Sequence, residues 1–449
     1  MTGIYVVIST LLLIFSIMAV VKARAVGLLV PFWFVLGWLT SELAIWVLLF
    51  IAALNVVAWF LIGVSGQAAT WAGFFCLGSA LLLLESLRRS FDSGQAFDRA
   101  FKIGLGDEFI AQIPAARRSL LNRHIHSSEW LWPFRFVRPS VRVERDIAYG
   151  DAGKRNWLDI YVPSQAAPAH RPRPVLLQIH GGAWIIGHKA EQGQPLLYRM
   201  AELGWVGVSI NYRLSPRNAF PAHIEDVKRA IAWIKANIAE YGGDPEFIAV
   251  TGGSAGGHLT LLSALTPNYA AWQPGFEEVD TRIQAAMPLY PPTDLLNRHH
   301  IREQSGIDEP VISRVFPGAE DESMPLRDEA SPLTWGVERE AAEDAPPMLI
   351  IQGDYDSLVW VEETRLFVSE LTHRTSSSVV YAELSGAQHA FEFFHSPRTS
   401  HYLVAATAWL EWVYAQWSAR QPTPQPAANP AAPSSSDLPS EGPMQSGPR

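Results

Sequence analysis

Val250-Thr-Gly-Gly-Ser-Ala-Gly-Gly-His258 constrains this chain more tightly than any other stretch. Strand formers, Phe247 to Thr251, run into it, and helix-compatible residues, Leu259 to Leu265, run out. Between them Gly252-Gly253-Ser254-Ala255-Gly256 reads G-x-S-x-G. A serine on a sharp strand-to-helix turn has a strained backbone, so its close neighbours must be small, and Gly252 and Gly256 satisfy that. The strain points the hydroxyl outward, and the following helix aims its N–H groups and the positive end of its dipole at the same place. Alone, the stretch also fits a Gly-rich turn with a purely structural role. The other strand ends decide between the two.

From Val141 onward, strands alternate with helices. The strand candidates are Val141–Tyr149, Trp157–Val162, Val175–His180, Trp205–Tyr212, Phe247–Thr251, Ala285–Tyr290, Met348–Ile351 and Val379–Leu384; Ala222–Tyr241 and Tyr402–Trp417 read as helices. This alternation predicts an α/β fold, a mostly parallel sheet with helices on both faces. Three strand ends carry residues that suit a nucleophilic serine. His180-Gly-Gly-Ala-Trp184 places glycines whose N–H groups can face a cavity; Gly181, Gly182 and the N–H of Ala255 are the expected oxyanion donors. His180 itself is expected to fix this loop, and Trp184 to pack beside an acyl pocket or in the core. Gln352-Gly-Asp-Tyr-Asp-Ser357 offers two acids, of which Asp356 is favoured as the triad acid and Asp354 as a turn cap. Ser385-Gly-Ala-Gln-His389 places His389 on a small-residue loop. The chain order Ser254, Asp356, His389 is that of an α/β-hydrolase triad. This chemistry calls for no metal and no organic cofactor.

Within an expected catalytic domain over 141–420, residues from about 141 to 417 resemble the hormone-sensitive-lipase-like carboxylesterases of the α/β-hydrolase superfamily. The matching pieces are His180-Gly-Gly-Ala-Trp184, Asn211-Tyr-Arg-Leu-Ser-Pro216, Phe220-Pro-Ala-His-Ile-Glu-Asp-Val227, Gly252-Gly-Ser-Ala-Gly-Gly257 and Gln388-His-Ala-Phe391. The resemblance implies an ester hydrolase with Arg213 and Asp226 as a structural pair. Two positions depart from the family pattern. Gly253 stands where Asp is common, and Ser357 stands where Pro is common. The first motif is also similar to feruloyl-esterase-like and arylformamidase-like branches, which keeps an amidase as the alternative reading; a catalytically dead hydrolase serving as an interaction module is a further one.

Residues 1–87 set a second constraint. Composition is 48% hydrophobic with 17 Trp, and the excess sits at this end. Ile4–Val21 and Ala69–Leu84 are apolar runs of bilayer-crossing length, and Ala25–Ile62 is too long for one straight span and too short for two. Ala23-Arg-Ala25 imitates a cleavage site, but no basic region precedes the apolar run. Lys22 and Arg24 follow the first run; Arg88 and Arg89 follow the last. Basic flanks on one side of a membrane require an even number of crossings between them. Three spans are thus favoured over four, with the N-terminus outside and the large domain cytoplasmic, in an integral protein of a bacterial plasma membrane. Part of 26–41 then tilts, kinks or lies at the interface. Glu42 reads as a helix-end residue at that interface or as a buried functional carboxylate.

Residues 88–140, with Arg117, Arg118, Arg123, Arg135, Arg138, Trp130, Trp132, Phe134 and Phe136, read as a juxtamembrane linker or a cap. The irregular stretch 293–345 reads as a surface cap or lid, and the Pro/Ala/Ser-rich tail 421–449 as disordered. A net charge of −9 without a dense basic stripe argues against nucleic acid as a partner, leaving an ester substrate and the bilayer. The single cysteine, Cys76, excludes an intrachain disulfide and a multi-cysteine zinc site.

Overall fold

The computed structural model describes residues 1–22, 24, 27, 29–119, 121, 125–164, 172–302, 308–339, 342–421 and 447. Ala23, Ala25, Arg123 and all of the tail but Gln421 and Gly447 lie outside the described residues. Four helices come first: α1 (Thr2–Val20), α2 (Leu29–Glu42), α3 (Ala44–Val56, prolonged by a wider turn over Val57–Leu61) and α4 (Gln67–Leu105). A short α5 (Ala115–Arg118) precedes the strands. These are β1 (Val141–Ala148), β2 (Trp157–Pro163), β3 (Arg173–Ile179), β4 (Val206–Ile210), β5 (Gly243–Gly253), β6 (Ala285–Leu289), β7 (Met348–Gly353) and β8 (Val379–Leu384). Between and after them come α6 (Gln194–Glu202), α7 (Ala222–Asn237), α8 (Ala255–Leu265), α9 (Asp308–Val315), α10 (Glu320–Glu329), α11 (Val361–Leu371) and α12 (Pro397–Arg420).

The eight strands make one sheet in the order β1-β2-β4-β3-β5-β6-β7-β8. β2 pairs antiparallel with both β1 and β4, and β3 through β8 pair in parallel. The central strands are unbroken apolar runs because helices cover both faces. Side chains alternate between faces along each strand. Leu177, Ile179 and Val250 pack with Ile224 and Ile231 of α7 and Leu262 of α8. Leu176, Phe247 and Ala249 pack on the other face with Trp409 and Leu410 of α12 and with Phe97 and Phe101 of α4.

That last contact corrects a predicted boundary. A linker was expected to begin at residue 88, but α4 runs unbroken for 39 residues, roughly 58 Å, from the apolar region into the core of the domain. Its charged residues stay on the surface, where Arg88 pairs with Glu85 and Asp92. The stretch 293–345 is less irregular than expected. It contains α9 and α10, and it adds Ile312, Val315, Phe316 and Trp335 to the core.

The N-terminal helices have the burial pattern of a soluble protein turned inside out. α1 buries Tyr5, Ser9, Leu12 and Ser16 and exposes Ile4, Val7, Leu11 and Ile14. α4 buries Ala69, Ala72, Cys76 and Ser79 and exposes Trp71, Phe74, Leu77 and Leu81. Small inward residues let helix backbones approach closely, as in lipid. Thr2–Val20, Ala44–Leu61 and Gln67–Leu105 are each long and apolar enough to cross a membrane.

α2 differs from its neighbours. It is 14 residues long, about 21 Å, and it breaks from α3 at Leu43. Its last residue, Glu42, is wholly buried. It accepts hydrogen bonds from Arg398 Nε at 2.9 Å and Ser396 Oγ at 2.7 Å, at the start of α12. Glu42 is therefore a helix-end residue enclosed by protein. It ties α2 to the sheet domain.

Candidate active site

The β5 strand ends directly at Ser254, whose backbone is held at φ 58 and ψ −122. The two flanking glycines are there for steric reasons. A Cβ on Gly252 would lie 2.5 Å from the Ile179 carbonyl oxygen, and one on Gly256 only 2.2 Å from it. The end of β3 thus presses against the turn, and only glycine admits that approach. Ser254 remains partly open to a cavity of about 580 Å³ that it shares with His389 and Tyr290. Among the described residues no hydrogen bond ties down its hydroxyl.

His389 follows β8 on a loop. Its Nδ1 lies 2.7 Å from Asp356 Oδ2. That carboxylate is buried and fully satisfied. Oδ1 accepts the N–H groups of Leu358 and Val359, each at 2.8 Å, and Oδ2 also accepts from Gln352 Nε2 at 3.1 Å. These donors fix the orientation of the carboxylate. Asp354 does different work. Its Oδ1 accepts the Gly386 N–H at 2.6 Å, joining the acid and histidine loops, while burial pushes its carboxyl up from the usual range. The two loops are joined again through Gln388 Oε1, which accepts the N–H groups of Ser357 at 2.7 Å and His389 at 3.0 Å. A proline at 357 has no N–H to give, which accounts for the serine there.

The oxyanion side differs from expectation at one residue. The Gly181 N–H is already donated to Gln192 Oε1 at 2.7 Å. Gly182 and Ala255 have no partner for their N–H groups among the described residues, and the same holds for Ala183, which lines the cavity at φ 52. Gly182, Ala183 and Ala255 are therefore the amides left available as candidate donors among the described residues. Glycine is not the sole mark of a free amide here, because the loop puts an L-residue, Ala183, in the left-handed region.

His180 is a structural residue. Its Nδ1 donates to the Gly181 carbonyl at 2.7 Å, its ring stacks on Tyr212, and burial pulls its pKa down to about 4. Trp184 does not line the cavity. Its indole turns into the core, 3.3 Å from His258 Nδ1, and Ile185 and Ile186 take the cavity wall instead. Arg213 and Asp226 pair at 3.0 Å, away from the cavity.

Three cavity residues were not anticipated. Tyr290 lies with its ring centroid 4.3 Å from that of His389, and its hydroxyl donates to the buried Glu392 at 2.5 Å. It also explains Gly253: a Cβ there would fall 2.3 Å from the tyrosine hydroxyl. Phe34 and Trp38, on α2, complete the wall. Phe34 meets the His389 ring edge-on at 5.7 Å, and Trp38 Nε1 donates to the Ala390 carbonyl at 2.9 Å. No motif in the sequence ties residue 34 to residue 389.

A serine free to attack, a histidine oriented by a buried acid and unpartnered amides at a helix start together suit acyl transfer. Comparisons with known proteins agree. The BD-FAE family model matches residues 158–371. A probable carboxylic ester hydrolase, LipM of Mycobacterium tuberculosis, is 46% identical over 288 residues, covering 62% of this chain and 63% of the relative. Esterase LipQ of the same organism is 44% identical, covering 60% and 62%. The chain thus spans less than two thirds of the length of these relatives. The crystal structure of esterase B from Lactobacillus rhamnosis superposes with a TM-score of 0.52 at 20% identity, over 64% of this chain and 90% of that one, a likeness of fold.

Proposed function

We propose that this chain is a membrane-anchored serine carboxylesterase of the lipase type, of the α/β-hydrolase superfamily, acting on apolar esters. The observation that carries this reading is the Asp356–His389 pair at 2.7 Å opening into the same apolar cavity as Ser254. His389 Nε2 takes the proton of Ser254 while Asp356 keeps the proton on Nδ1. Ser254 Oγ attacks the ester carbonyl carbon, and the amides of Gly182, Ala183 and Ala255 hold the resulting oxyanion. His389 gives its proton to the departing alcohol oxygen as the C–O bond breaks. Water then attacks the acyl-serine, loses a proton to His389, and the acid leaves as Ser254 recovers its proton. Each oxyanion donor contributes about 3 kcal/mol of barrier lowering in such sites.

Anchoring rests on the three long apolar helices and their outward-facing large residues. Sidedness rests on the basic pairs. Lys22 and Arg24 both pair with Glu362, and Arg89 Nη1 donates to the Tyr355 hydroxyl at 2.6 Å. Lys22, Arg24 and Arg89 thus all meet the sheet domain, which supports an even number of crossings between them, and the preference of basic flanks for the cytoplasm supports a cytoplasmic domain.

The test is labelling of the membrane-bound protein with a fluorophosphonate, followed by turnover of nitrophenyl esters and an N-formyl aryl amide. Labelling lost in Ser254→Ala, with ester turnover exceeding amide turnover, supports the reading. Equal labelling with and without Ser254 overturns it, and a preference for the amide moves the enzyme to the amidase branch.

A further inference from the structure

Helix α2 belongs by sequence to the apolar N-terminal region, yet it is built into the active-site wall. Phe34 and Trp38, one turn apart and stacked at 5.6 Å, both line the cavity that holds Ser254 and His389. Trp38 packs against Phe393 at 5.6 Å and Phe394 at 5.3 Å, on the loop that carries the histidine. The helix is fixed at its end by the buried Glu42–Arg398 pair. Its opposite face is bare: Leu29 and Phe32 are each 65% exposed, and Val35 is 40% exposed.

One face of α2 therefore touches the reacting groups, and the other continues the outward apolar surface of α1 and α4. At about 21 Å it is shorter than the roughly 30 Å hydrocarbon core, so it does not cross alone. With α1, α3 and α4 crossing the bilayer as proposed above, α2 would lie beside them as a partition between lipid and cavity. The cavity has the lining that a hydrocarbon chain needs: Phe34, Trp38, Ile185, Ile186, Leu358 and Phe393.

We infer that α2 is the acyl-chain wall and the entrance of this site, so that the substrate is a long-chain ester drawn laterally from the bilayer along α2. The inference rests on the esterase reading and adds the class of acyl group and its route. Phe34 and Trp38 then act as specificity-determining residues. Their rings set the chain length admitted, and their contacts with His389 and Ala390 couple occupancy of the wall to the catalytic loop.

The experiment uses the full chain in lipid nanodiscs, with nitrophenyl butyrate and nitrophenyl palmitate as probes. Rates are normalised to the fraction of Ser254 that reacts with a small fluorophosphonate, which counts only folded enzyme. Phe34→Ala and Trp38→Ala are expected to lower the palmitate-to-butyrate ratio of kcat/KM by about tenfold, chiefly through KM for palmitate. The milder Trp38→Phe, which keeps a ring but loses the N–H donated to Ala390, moves the ratio in the same direction by less. Phe32→Ala, on the bare face, leaves the ratio unchanged. A flat ratio in the Phe34 and Trp38 variants, or an equal shift in Phe32→Ala, overturns the inference. The esterase reading fails separately, if wild-type Ser254 does not react with the fluorophosphonate.

Discussion

The two halves of the catalytic pair are held in opposite ways. Ser254 is positioned from within the sheet domain. Its turn is clamped between β3 and β6, with glycines where backbone presses on backbone and its own N–H donated to Leu289 at 3.0 Å. His389 is positioned partly from outside. Beyond Asp356 and Gln388, its loop leans on Phe34 and Trp38, and the next turn of chain is tied to Glu42. A nucleophile needs a fixed strained geometry, which a close-packed sheet supplies. The base sits where substrate must enter, and there the fold uses a helix from the apolar region. The comparison teaches that the N-terminal helices form part of the cavity wall as well as the apolar region.

The largest effect tests the histidine side chemically. Asp356→Asn keeps the shape but favours the wrong imidazole tautomer, and in triads of this kind that lowers kcat by about 10⁴-fold. Steady-state turnover at pH 7 measures it. A loss under tenfold sinks Asp356 as the triad acid and points back to Asp354.

The next tests the external support. Arg398→Met leaves the Glu42 carboxylate buried without its partner, which costs about 3–5 kcal/mol in comparable sites. Hydrogen exchange read by mass spectrometry should show residues 386–396 losing protection while 250–258 keep theirs. Equal loss in both segments breaks the comparison, because the serine turn would then depend on α2 as well. A smaller effect probes the internal support. Gly253→Ala drives a methyl group into the Tyr290 hydroxyl, an overpacking of about 1–3 kcal/mol, read as a lowered Tm. An unchanged Tm removes Tyr290 as the reason for the glycine.

The serine side was legible in the sequence because its constraints are local. The period of the strands, the small residues around Ser254 and the order of the three strand ends are all visible along the chain. Arg213 with Asp226 was legible through family resemblance alone. The histidine side was only half legible. The loop with His389 announces itself, but its contacts with residues 34, 38 and 42 span some 350 positions and follow no periodicity. Charge patterning cut the apolar region at 88, and the unbroken α4 shows why that failed: one helix continues past its charged turn and buries Phe97 and Phe101 in the core of the sheet domain. For Trp184 the second of its two expected places, the core, is the one it takes, with its indole against His258. Gly253 and Ser357 looked like departures in sequence, and each is explained by one atom of a distant residue.

The smallest effect separates the two sides by pH. His180, at the end of β3, and His258, in α8, flank the serine turn, and burial holds both near a pKa of about 4. His223, buried nearby, is pulled down to about 3. Their protons are assigned to neutral rings: His258 Nε2 donates to the Ala330 carbonyl at 2.7 Å and its Nδ1 accepts from Trp184. In the unfolded chain each returns to about 6.5, so between 6.5 and 4 the unfolded state binds more protons than the folded one. The stability these neutral histidines contribute is therefore complete above about pH 6.5 and is lost as pH falls toward 4. The slope is about 1 kcal/mol per pH unit for each group. Urea unfolding of the detergent-solubilised protein at pH 7, 6 and 5, followed by tryptophan fluorescence, should show this decline, and His258→Gln should flatten it. Stability that stays level from pH 7 to pH 5 would remove these histidines from the account. Acid should thus loosen the serine side first, since burial pulls His180, His223 and His258 down further than it does His395 and His401 on the histidine side.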